Sequence, residues 1–377
     1  MIIAFITDNG FSEKKGSYYY SGANVQHYST VSQHFEDIIF VARNNPYESS
    51  GNLIAEKYQV YLVDSVVNHR KFIRNFNKLN DVLEDVVKRS DVVMCFGLNG
   101  YFAYKKAIKY NKPTIVYIGG CVYDTLVNMD SKLKKALAPI MMSMVKEMAK
   151  NANFVHYVDG YLVDKYPTRG EKLICPSAKI TINPEVMKTR ESNIQQKMKK
   201  TTIGLIGYTH NKIKGIDTAI KSLKILGENY RLQIVGRGEH TWLDNLAKSL
   251  GVEKQVEFLG VMSGREAIFN WLDTIDIYIQ PSVTEGMPRA TIEAMSRACP
   301  VVSSHAGGLR NIVNEKFRID AGNYTALADK IRMIGENKSL MLKQAQNSFN
   351  VAKKFDSNVL NGKRNQFYNN IYHKLQQ

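Results

Sequence analysis

DIYIQPSVTEGMPRATIEAM, residues 276–295, runs from an apolar stretch through a proline- and glycine-marked loop into helical spacing. It reads as strand, loop and helix. Pro288 fits the first helical position, where a missing N–H costs nothing. The N–H groups of Gly286, Met287 and the first turn are then left over for a ligand. A helix N-terminus carries about half a positive charge and suits an anion. Gly286 lets backbone come close to that anion. Glu285 stands just before this point, and Glu293 lies a turn and a half into the helix among Ile292, Ala294 and Met295. An acid at that depth is costly unless it accepts hydrogen bonds, and sugar hydroxyls would donate them. The arrangement suits a phosphate flanked by two sugars, a nucleotide sugar. A plainer alternative stays open: the macrodipole favours Glu near any helix start, and helical Glu commonly faces water.

Working outward, the second half keeps alternating. TIGLIG, RLQIVG, QVEFLG, DIYIQP and PVVSS read as strands. IDTAIKSLKIL, TWLDNLAKSLG, GREAIFNWLD and PRATIEAMSRA read as the helices between them. The first half does the same. MIIAFIT is a strand ending in a turn at Asp8–Gly10, followed by strands DIIFVAR, YQVYLVD, DVVMCFG, KPTIVYIGG and NFVHYV. Helical spacing lies between them, in ANVQHYSTVSQHF, RKFIRNFNKLNDVLEDVVKRS, YFAYKKAIKYN and SKLKKALAPIMMSMVKEMAKNA. Strands alternating with helices imply parallel sheets with crossover helices. NPEVMKTRESNIQQKMKK, residues 183–200, breaks the pattern and reads as a polar linker. Two doubly wound domains facing a cleft are the expected architecture, with ligands at strand C-terminal ends.

A chain of 377 residues, 44% hydrophobic and 23% charged, has material for two cores. Cys95, Cys121, Cys175 and Cys299 show no paired or metal-binding spacing, as expected of reduced thiols. MIIAFITDNGF turns polar too soon for a secretory signal, and no apolar run approaches about 20 residues. A cytoplasmic protein is expected, with a peripheral place on the inner face of the cytoplasmic membrane. Net charge is +16, and residues 101–200 hold 18 Lys and Arg against 8 Asp and Glu. Such a surface attracts phosphates. A nucleic-acid module is one reading of this charge, but no recognised nucleic-acid-binding motif backs it.

PSVTEGMPRATIEAMSRACPVVSSHAGGLRNIV resembles the signature of family-4 glycosyltransferases, retaining enzymes of the GT-B fold. The family's E-x7-E pattern falls on Glu285 and Glu293. KGIDTAIKSLKIL, LQIVGRGEHTWLDNLAKSLGVEKQVEFLGVM and WLDTIDIYIQPS follow the same family in order, so the likeness spans about 201–313. The resemblance implies two Rossmann-like domains. Residues 1–185 would form an acceptor-binding domain to which a C-terminal helix, 356–377, returns. Residues 200–355 would form the nucleotide-sugar donor domain. Glu285 would hold hydroxyls of the transferred sugar, and Glu293 those of the ribose. Gly286, Met287 and Pro288 would meet diphosphate and sugar, and Lys214 would stabilise the leaving diphosphate. Gly236 and Arg237 of VGRG, with Leu259 and Gly260 of FLG, would line the nucleobase pocket. Gly22 of SGAN would reach the donor phosphates from the first domain.

Three features depart from the pattern. Tyr208 stands where the family usually has a phosphate-binding Arg, and a phenol cannot replace that charged fork. Gly119 and Gly120 stand where a His commonly contacts the sugar, and Asn311 replaces an acid. No Asp-x-Asp pair occurs, so neither a metal nor another cofactor is expected, and Lys214 with the helix dipole would meet the leaving charge. The expected reaction is transfer of a sugar to a glycan or lipid-linked acceptor in cell-surface polysaccharide biosynthesis, by a retaining front-face route. A silent GT-B subunit that binds nucleotide sugar without turnover is the alternative reading. The basic helix around Lys132, Lys134, Lys135, Lys146 and Lys150 has two readings, an anionic-membrane face or a crossover helix with a solvated side. Tyr18, Tyr19 and Tyr20 suit either stacking on a sugar or an exposed strand edge.

Overall fold

The computed structural model describes residues 1–20, 31–45, 52–54, 56–63, 74–129, 131–176, 180–196 and 200–377. The first unit comprises Met1–Cys175 and Asn361–Gln377, and the second comprises Pro176–Leu360.

Nine strands of the first unit's sheet lie among the described residues. They are β1 (Ile2–Lys14), β2 (Ser17–Tyr20), β3 (Asp37–Asn44), β4 (Asn52–Leu53), β5 (Gln59–Val63), β6 (Val92–Cys95), β7 (Thr114–Ile118), β8 (Phe154–Tyr157) and β9 (Glu171–Ile174). The parallel set runs β5-β3-β1-β6-β7-β8-β9, and β2 and β4 add an antiparallel flap on the far end of β1. The expected turn at Asp8–Gly10 is instead a register shift inside a longer strand. Asp8 accepts the N–H groups of Leu98 (2.6 Å) and Asn99 (3.0 Å), and Phe11 returns to the core beside Tyr20 and Phe40. A bulge re-aims a side chain without ending a strand. Tyr18, Tyr19 and Tyr20 form β2, with Tyr20 buried. The C-terminal helix, Ser357–Gln376, supplies Tyr368 and Ile371 to the same core as Ile3, Phe5 and Phe40.

The second unit has six parallel strands in the order β12-β11-β10-β13-β14-β15. These are β10 (Thr201–Ile206), β11 (Tyr230–Val235), β12 (Val256–Gly260), β13 (Ile277–Gln280), β14 (Val301–Ser304) and β15 (Arg318–Ile319). Helices Ile216–Leu226, Thr241–Leu250, Arg265–Thr274 and Arg289–Ser296 connect them. The strand order reverses between β10 and β13, which opens a crevice at their C-terminal ends.

The linker expected at 183–200 is a correction. Glu185–Gln196 is a helix, with Val186, Arg190 and Ile194 buried, and the units divide ahead of it, at Cys175/Pro176. Arg190 anchors it, donating to the carbonyls of Leu272 (2.8 Å), Ile275 (2.6 Å) and Arg297 (3.0 Å). A single buried guanidinium replaces the apolar stripe that would have announced a helix.

Candidate active site

A cavity of about 650 Å³ opens where β10, β11, β12 and β13 end. Each strand delivers its next residues to the wall. Gly207 and Tyr208 follow β10, Gly236 and Arg237 follow β11, Val261 and Met262 follow β12, and Gln280 closes β13. Lys214, Glu285, Arg289 and Glu293 supply the cavity's other charged groups, and Met287 and Pro288 lie beside them.

Lys214 and Glu285 form its centre. Lys214 Nζ lies 2.6 Å from Glu285 Oε1. Gly215 follows Lys214 at φ 68° and starts the next helix, and a Cβ there would lie 2.1 Å from the Pro281 carbonyl. The loop holding Glu285 is equally tight: a Cβ on Gly307, at φ 48°, would lie 1.8 Å from the Glu285 carbonyl oxygen. Only glycine fits such an approach.

A buried chain of hydrogen bonds orients Glu285. Tyr278 Oη donates to Gln280 Oε1 at 2.7 Å, and Gln280 Nε2 donates to Ser282 Oγ at 2.8 Å. Ser282 Oγ donates to Glu285 Oε1 at 2.8 Å, so it and Lys214 converge on one carboxylate oxygen. Burial pushes the Tyr278 hydroxyl well above its ordinary pKa, which keeps it a donor.

Glu293 is placed differently. Burial raises its carboxyl above the ordinary value, against the opposing pull of Arg289 and Arg265. No described residue hydrogen-bonds that carboxylate. An acid held this way suits incoming hydroxyl donors. The helix bearing it begins at Arg289, with Pro288 as the flanking residue rather than the first helical one. Its first i to i−4 bond runs from Ile292 N–H to Pro288, so the Ala290 and Thr291 amides precede the ladder.

Of the residues marked by sequence, the cavity gathers Tyr208, Lys214, Gly236, Arg237, Glu285, Met287, Pro288 and Glu293. Gly286 stands behind the wall, where its carbonyl accepts from Gly308 N–H at 3.1 Å. Leu259 and Gly260 do not line the cavity, and the Gly260 carbonyl accepts from Gly236 N–H at 2.8 Å. Val261 and Met262 line it instead, with Ile268. Their signal was the apolar pair continuing FLG into FLGVM. Gly22 lies outside the described residues. Gly119 and Gly120 follow β7 in the first unit, while nearby Asp124 is paired with Lys165 at 2.5 Å. Asn311 sits in a separate pocket of the second unit with Gln344 and Asn347.

Residues 187–351 match the sequence model of the glycosyl transferases, group 1. Protein CapJ of Staphylococcus aureus is 30% identical over 375 residues, covering 97% of this chain and 90% of CapJ. A putative colanic acid biosynthesis glycosyltransferase, WcaL of Escherichia coli K12, is 32% identical over 164 residues, 40% of each chain. Among solved structures, Anabaena HepE in complex with UDP superposes with a TM-score of 0.70, at 16% identity and over 100% of both chains. The two parallel-sheet units are those of the GT-B fold.

Proposed function

We propose, since this chain belongs to the group 1 glycosyl transferases, that it moves a sugar from a nucleotide-diphosphate sugar to a glycan or lipid-linked acceptor in cell-surface polysaccharide biosynthesis. One observation carries the reading. The paired Lys214–Glu285 and the unpartnered Glu293 share a single cavity at the strand ends, in front of a helix N-terminus. The names of WcaL, a putative colanic acid biosynthesis glycosyltransferase, and of CapM of Staphylococcus aureus, a capsular polysaccharide biosynthesis glycosyltransferase, support the pathway. HepE's bound UDP supports the donor class.

In this reading Glu293 accepts hydrogen bonds from the ribose hydroxyls, and Glu285 from those of the transferred sugar. The bond from the anomeric carbon to the diphosphate oxygen breaks, and Lys214 with the Ala290 and Thr291 amides stabilises the departing charge. The departing phosphate oxygen takes the acceptor hydroxyl's proton as the new C–O bond forms on the same face. This route retains configuration and needs no metal. The two carboxylates differ in task because their surroundings differ: one is ion-paired and oriented, the other buried and waiting.

Donor hydrolysis across UDP-, GDP-, ADP-, CDP- and dTDP-sugars tests the reading. At least one donor should turn over in the presence of chelator, and Lys214→Ala should lower kcat about 100-fold or more. Turnover of no donor, or a Lys214→Ala enzyme as fast as wild type, would falsify it.

A further inference from the structure

The donor's diphosphate is doubly negative, and the cavity wall must offset that charge. Lining it are three cations, Lys214, Arg237 and Arg289, and two acids, Glu285 and Glu293. One of the cations is committed: Lys214 is held 2.6 Å from Glu285. Arg289 lies in the field of Glu293, whose carboxyl its charge pulls down without an ion pair. Arg237 has no carboxylate partner among the described residues. Its guanidinium carbon lies 5.1 Å from the centroid of the Tyr208 ring, and Nη2 lies 3.4 Å from the Tyr208 hydroxyl. Tyr208 in turn lies 5.6 Å from the His210 ring, and it is 45% exposed on the cavity rim.

We propose, building on the donor reading above, that Arg237 is the cation that binds the donor diphosphate, and that the Tyr208 ring is the platform that holds it there. An arginine over an aromatic face keeps its planar fork while losing little freedom. A fork is what a diphosphate's oxygens match, through two parallel N–H bonds. The phenol at position 208 is therefore not a lost charge. It positions a charge supplied by the neighbouring strand, β11, which pairs with β10. Arg237 reaches the phosphates from the end of β11 and Lys214 from the loop after β10, so two separate segments grip the leaving group. The nucleobase is left to the apolar end, where Val261, Met262 and Ile268 lie.

The test uses the full chain and five diphosphates: UDP, GDP, ADP, CDP and dTDP. The best binder of wild type is compared with its own nucleoside, by calorimetry and ligand-observed NMR. Arg237→Gln should weaken the diphosphate tenfold or more and the nucleoside less than twofold. Arg237→Lys should recover only part of the loss, because the fork is gone. Tyr208→Ala should cost more diphosphate affinity than Tyr208→Phe, which keeps the ring. Equal loss of nucleoside and diphosphate in Arg237→Gln would place the guanidinium on the base and overturn the proposal. Unchanged diphosphate affinity in that variant would overturn it as well. Wild type binding none of the five would instead strike the donor reading itself, so the two failures are distinguishable.

Discussion

Burial pushes the Glu293 carboxyl above its usual range, and this has a sign. The fold holds that proton to a higher pH than the unfolded chain does, so the ligand-free protein loses stability as pH rises through the shifted value. Glu293→Gln should therefore raise the melting temperature of the free protein at pH 7.5, by about 2 °C or more, with little gain near pH 4. Melting curves at both pH values check this, and a variant less stable at pH 7.5 would contradict it. Glu285 and Glu293 were marked in the sequence by their spacing around Gly286, and Lys214 by the family resemblance alone; the structure brings the three to one cavity. The chain from Tyr278 through Gln280 to Ser282 was not. It uses alternate residues of a strand and its following loop, so their polar tips share one face only once that strand is buried on both sides. Polar residues at that spacing inside IYIQPS were the available signal. Arg237 was marked for the nucleobase; its seat on Tyr208 depends on two strands lying side by side, which no local pattern reports.

At the scale of elements, apolar spacing placed most strands and helices, including Ile216–Leu226 and Thr241–Leu250. It missed Glu185–Gln196, whose anchor is one arginine donating to carbonyls far along the chain. It also missed the short β9 and β15, which are too brief to show a period. The C-terminal helix shows how such an element is secured. Tyr368 Oη lies 3.2 Å from His156 Nδ1, and His156 Nε2 lies 2.9 Å from the Cys175 carbonyl. Burial, aided by Arg364, lowers the His156 pKa from 6.5 to about 4. The folded state thus resists a proton that the unfolded chain accepts. Stability from this group is full above pH 6.5 and falls as pH drops toward 4, by about 3 kcal/mol in all. His156→Phe should start from a lower melting temperature at pH 7.5 yet lose less between pH 6.5 and 4.5. An unchanged slope would sink this assignment.

At the scale of the whole molecule, the alternation of strands and helices announced the class of fold, while the division at Cys175/Pro176 lies ahead of a helix that Arg190 ties into the second unit. No helix among the described residues is long and apolar enough to cross a membrane. The helix Lys132–Asn151 nevertheless leaves Leu133, Leu137 and Ile140 exposed at 54%, 41% and 58%. Residues three and four apart share a face, and Lys132, Lys134 and Lys135 stand beside this one. A face of this kind suits an anionic bilayer carrying a lipid-linked acceptor. Sedimentation with vesicles containing anionic lipid should retain the protein at low salt, and Leu137→Glu with Ile140→Glu should release it. Equal retention by purely zwitterionic vesicles would remove anionic lipid from the account, and retention by neither would remove the membrane.

The central claim is that one cavity in the second unit grips a nucleoside diphosphate through Lys214, Arg237 and the acids at its two sides. Calorimetric titration of wild type and Glu293→Gln with UDP, GDP, ADP, CDP and dTDP is the most direct measurement. The account predicts saturable, one-site binding of at least one nucleotide by wild type, weakened about tenfold or more in Glu293→Gln, the ribose hydroxyls having lost a charged acceptor. Binding of equal strength in both proteins would place the nucleotide elsewhere and contradict it.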